Sequence, residues 1–78
     1  MTGQAIYRRY NQEALSTKPG SDVWTYAQTL RTAYAVVGPE ILYPMLEEAE
    51  RTGQQIELTY PISPEEGLSE PTGIRLVA

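Results

Sequence analysis

Apolar side chains recur every three or four residues through the first two thirds of this chain. After that they recur every second residue. A period of 3.6 gathers side chains on one side of a helix, and a period of two gathers them on one face of a strand. The chain therefore reads as helices followed by strands. Over residues 4–16, Ile6, Tyr7, Tyr10, Ala14 and Leu15 fall on one side, with Arg8, Arg9, Gln12 and Glu13 mostly opposite. Thr2 is a weak candidate for the cap of this helix. The stretch Ser16–Gly20 then forms a turn, because Pro19 disfavours helix at Lys18 and Gly20 tolerates unusual backbone angles.

The second helix has the clearest pattern. Ser21 is a good N-cap, and Asp22 places negative charge in the first turn, where the helix dipole favours it. Val23, Ala27, Leu30, Tyr34 and Val37 follow at helical spacing, flanked by Trp24 and Ala33. This stripe is expected to face the core, Tyr34 included. Gly38 ends the helix and Pro39 opens a third at its first position, where the missing N–H costs nothing. Ile41, Leu42, Met45, Leu46 and Ala49 supply its apolar face. Glu47 and Arg51 stand in the favourable i, i+4 order for an ion pair, and Gly53 closes the helix. Pro44 either bends this helix or marks a restart after one turn, and the bent helix is the preferred reading.

From Gln54 the period changes. Ile56, Leu58, Tyr60 and Ile62 point one way and Glu57, Thr59 and Pro61 the other, as in a half-buried strand with Pro61 at its end. Residues 63–72 have the composition of a flexible loop, and Ile74 and Leu76 mark a second strand. The expected fold is one small α+β domain over residues 1–78: three helices, then an antiparallel hairpin lying on them. In outline it resembles a winged helix. Its third helix, however, carries Glu40, Glu47, Glu48 and Glu50, and its wing would carry Glu65, Glu66 and Glu70. Phosphate would repel both, so DNA reading by those parts is not expected.

Length and composition add a constraint. A 78-residue domain buries only about 60–65% of its unfolded surface. With no cysteine and no histidine, neither a disulfide nor an ordinary zinc site can reinforce it. Self-association is one way to bury more, and the hairpin's edge offers a place for it, so a homodimer is expected. Charge is uneven. Residues 1–37 hold four basic and two acidic side chains (+2), and residues 38–78 hold two and eight (−6). Halves of opposite sign can attract within one chain or between two. No apolar run is long enough to span a bilayer and no signal segment opens the chain, so a cytoplasmic protein without a membrane partner is expected.

Candidate chemistry is sparse. Without His or Cys, and with no serine beside a base, no catalytic residues and no enzyme activity are expected. No cofactor motif is present. Glu47, Glu48 and Glu50 do not converge on one helix face, so no metal site is expected. Six tyrosines, one tryptophan and five arginines carry more weight, since Tyr, Trp and Arg dominate binding hot spots. The expected contact residues for a protein partner are Tyr7, Arg8, Arg9, Tyr10, Trp24, Tyr43 and Tyr60. The expected role is a small interaction module: an adaptor, regulator or accessory subunit. One alternative is a nucleic-acid-associated regulator working through Arg8, Arg9, Lys18 and Arg31. The other is an inhibitor that offers its acidic C-terminal half to a larger enzyme.

Overall fold

A computed structural model of the protein describes residues 1–61 and 70–78. Three helices come first: α1 (Gly3–Leu15), α2 (Asp22–Val37) and α3 (Pro39–Thr52). Two strands follow, β1 (Gln55–Thr59) and β2 (Gly73–Val77), paired antiparallel with Glu57 opposite Arg75. This is the α+β order that the periodicity predicts. The loop expected over 63–72 falls largely outside the described residues, as does the inward position expected for Ile62.

The local signals act where expected. Thr2 Oγ1 accepts from the Ala5 N–H at 3.2 Å, and Ser21 Oγ accepts from Trp24 N–H at 3.3 Å. Gly38 has φ +81° and serves both helices: its N–H closes α2 on Tyr34, and its carbonyl accepts from Leu42 in α3. Gly53 ends α3 in the left-handed conformation. Helix α3 is a single helix from Pro39 through Pro44, so the alternative of a restart at Pro44 does not apply.

The core is small. Ile6, Leu30, Leu42, Leu46 and Ile56 are its large buried side chains, and Ala14, Ala27, Ala33 and Ala49 are the buried alanines among the described residues. Alanines at helix contacts let neighbouring backbones approach closely. Partly buried tyrosines and the inner sheet face (Leu58, Ile74, Leu76) close around this cluster.

Four positions differ from the pattern's expectation. Leu15, on the expected apolar face of α1, is 81% exposed, because burial on α1 runs through Gly3, Ile6 and Ala14 and stops short of its last residue. Ile41 is half-exposed, because α3 buries Leu42, Leu46 and Ala49, a narrower stripe than its apolar residues span. Tyr34 is 40% exposed. Helix α2 turns Ala27, Leu30 and Ala33 inward, which leaves Tyr34 at the margin. Finally, Glu47 does not pair with Arg51. It accepts from the Gly3 N–H of α1 at 3.0 Å, and Arg51 turns instead to Glu48, three residues back.

Candidate functional site

Helical spacing puts Tyr7 on the α1 side that faces α2 and α3. There its ring stacks on Tyr34 of α2, centroids 5.4 Å apart and planes 26° apart. Tyr43 of α3 completes a triangle, 5.9 Å from Tyr7 and 6.2 Å from Tyr34, with tilted planes. Each helix contributes one ring. Offset and tilted pairs at these separations are the favourable geometries for aromatic quadrupoles. The arrangement is packed on one side and open on the other, since Tyr7 and Tyr43 are half-buried while Tyr34 meets solvent.

One cation lies within electrostatic reach of this triangle. Arg8 is exposed. Burial raises the Tyr43 pKa above its ordinary value, with help from the nearby Tyr34 and Tyr7 hydroxyls, and Arg8 is near enough to oppose that rise. Asn11 bridges the next turn. Its side-chain amide donates to the Tyr7 carbonyl at 3.0 Å, and its Oδ1 accepts from Arg31 Nε at 2.7 Å. Asn11 thereby ties α1 to α2 one turn after Tyr7. Nothing in the sequence singles it out, since a polar residue in mid-helix carries no pattern of its own.

The remaining expected contact residues lie elsewhere. Arg9 and Tyr10 point away from the triangle. The Arg9 guanidinium pairs with Glu50 of α3 and lies 5.2 Å from the centre of the Tyr10 ring. That carboxylate holds the Arg9 pKa above its ordinary value. The pair joins the basic first half of the chain to its acidic second half. Tyr10 meets Tyr26 of α2 edge-on at 4.9 Å, and the Tyr26 hydroxyl accepts from the Ile56 N–H of β1 at 3.0 Å. Trp24 is half-buried near the start of α2. Tyr60, just past β1, is 52% exposed and borders a groove between β1 and α2. The structure thus brings Tyr7 and Tyr43 together, adds Tyr34, sets Arg8 within electrostatic reach, and leaves Arg9, Tyr10, Trp24 and Tyr60 outside the cluster.

Four of the eight glutamates in the acidic half are bonded within the chain. Glu50 pairs with Arg9, Glu48 with Arg51, and Glu57 with Arg75, while Glu47 holds the start of α1. Among the described residues, no group of three His, Cys, Asp or Glu side chains converges as a cation site would require. No helix among them is long and apolar enough to cross a membrane. No family model, no curated protein and no solved structure matches this chain.

Proposed function

We propose that this chain is a small protein–protein interaction module, that it works as a homodimer, and that it receives its partner on the Tyr7–Tyr34–Tyr43 face beside Arg8. One observation carries this reading: three helices each deliver a tyrosine to one patch, with the exposed Arg8 within electrostatic reach of Tyr43. Tyr rings give large contact area at low entropic cost, and their mutual packing lowers that cost further. The charge arrangement favours a protein contact over the alternatives. Arg9 and Arg31 are already bonded within the chain, which leaves little of the basic group for phosphates. Glu47, Glu48, Glu50 and Glu57 are likewise engaged, which weakens the case for an acidic inhibitor.

Affinity purification from the native source, followed by titration of the captured protein, tests the reading. Replacing both Tyr34→Ser and Arg8→Glu should leave the circular dichroism spectrum unchanged and weaken the partner by about 30-fold or more, as loss of a hot spot does. Undiminished binding by the double variant would remove the tyrosine face from the proposal. A wild-type chain that captures nothing would remove the module itself.

A further inference from the structure

Arg9 and Tyr10, which stand outside the tyrosine triangle, belong to a second series of contacts that ends on the sheet. The Arg9 guanidinium, paired with Glu50 of α3, lies over the Tyr10 ring. Tyr10 in turn meets the Tyr26 ring edge-on, centroids 4.9 Å apart. The Tyr26 hydroxyl accepts from the Ile56 N–H at 3.0 Å. All three helices thus help to aim one hydroxyl at one backbone donor of β1.

The direction of that donor gives the contact its meaning. The Thr59 carbonyl is directed toward β2, where it accepts from Thr72 N–H at 2.8 Å. Strand groups alternate in direction from one residue to the next. Gln55, Glu57 and Thr59 therefore face β2, and Ile56 and Leu58 face the outer edge. Among the described residues no strand pairs with that edge. A bare strand edge is a template for another strand. Here Ile56 is only 4% exposed, so bulk water has little access to its N–H. A buried backbone donor needs a partner, and Tyr26 supplies one from a side chain instead of a strand. An incoming strand would have to place a carbonyl oxygen where the Tyr26 hydroxyl oxygen already sits. Strand β1 has only five residues, so with the Ile56 donor taken, Leu58 alone keeps a full outward pair of groups within it.

We propose that Tyr26 guards this edge: its hydroxyl keeps β1 closed to strand addition, whether by a second copy or by any other extended peptide. Covering an edge is one of the ways in which sheets avoid pairing with one another. The hairpin edge that the sequence marks as a place for self-association is thereby shut at β1, and the homodimer proposed above meets at another surface. Tyr26 lies apart from the tyrosine face, whose own test stands independently of this one.

Two variants and one probe peptide test the guard. Tyr26→Phe keeps the ring on Tyr10 and removes only the hydroxyl. Tyr26→Leu also clears the space in front of the Ile56 N–H. The probe is the capped hexapeptide with the sequence of residues 55–60, a strand known to suit this sheet. In Tyr26→Phe the Ile56 amide should exchange about tenfold faster, as loss of one hydrogen bond implies. The unsubstituted chain should not bind the peptide, and its Leu58 amide should be unaffected by it. Tyr26→Leu, folded by circular dichroism, should bind it at least about tenfold more tightly than the unsubstituted chain, with its Leu58 amide newly protected. Binding by the unsubstituted chain with protection of Leu58 would overturn the guard. So would a folded Tyr26→Leu that binds no better, or an Ile56 amide that exchanges equally fast in Tyr26→Phe. If Tyr26→Leu does not fold, the unsubstituted chain and Tyr26→Phe decide by these same criteria.

Discussion

Gly3 is where α1 meets the backbone of α3. A Cβ at this position would overlap the Tyr43 carbonyl, which is main chain and cannot rotate away. Replacing Gly3→Ala should therefore destabilise the fold by about 1–3 kcal/mol, the range for overpacking, despite the better helix propensity of alanine. A lowered urea midpoint would record this, and an unchanged midpoint would mean that the helices can separate freely. The same residue gives Glu47 its role. Helix α1 has no acidic side chain in its own first turn, so a carboxylate from α3 meets the positive end of its dipole. From sequence, Glu47 reads as half of an ion pair with Arg51. Spacing along one helix cannot reveal that a second helix offers a better-placed donor.

Among the elements, α2 has the strongest local signals and touches both other helices and both strands. Its Ser21 cap is isolated enough to test. Ser21→Ala should cost about 1 kcal/mol, and Ser21→Asp should recover most of it, because a carboxylate oxygen can serve the same N–H. If Ser21→Ala leaves the thermal midpoint where it was, the cap contributes nothing to this helix. The ends of α2 and α3 are legible from Ser21, Gly38, Pro39 and Gly53 because capping is a local matter of one donor, one acceptor and one backbone angle. Which residues of each helix are buried is less legible. Leu15, Ile41 and Tyr34 all satisfy the apolar spacing and all meet solvent, since a helix in a small three-helix body has too few neighbours to cover a wide stripe.

At the scale of the whole molecule, two tyrosines join the fold to pH. Burial raises Tyr26 above its ordinary value of 10.0, though its bond from the Ile56 N–H opposes the rise. Burial likewise raises Tyr43, with the neighbouring rings adding to it. A raised value in the folded state means that the unfolded chain releases these protons first. Between the unfolded and folded values the native state holds more protons, so stability falls as pH rises. The contribution is intact below about pH 10 and is lost as pH climbs through the folded values. Urea midpoints should be level from about pH 8 to 9.5 and then decline, with a shallower decline in the Tyr43→Phe variant. Equal slopes for the two proteins would show that Tyr43 ionises as it does in the unfolded chain.

The order of elements, their capping residues, the helix boundaries to within a residue or so, and the antiparallel pairing all follow from the amino-acid sequence alone. Each depends on residues that are neighbours along the chain. Strand β1, by contrast, ends at Thr59, short of the Pro61 end that the alternation predicts. The sequence also places aromatic side chains beside cations near the N-terminus, but it cannot sort them. Tyr7 and Tyr10 both satisfy helical spacing, yet one joins Tyr34 and Tyr43 and the other turns to Tyr26. Arg8 is exposed and acts electrostatically on Tyr43, while Arg9 is held by Glu50, 41 residues away. Only the packing of three helices decides these pairings, because partners distant along the chain become neighbours only after the helix faces have been chosen.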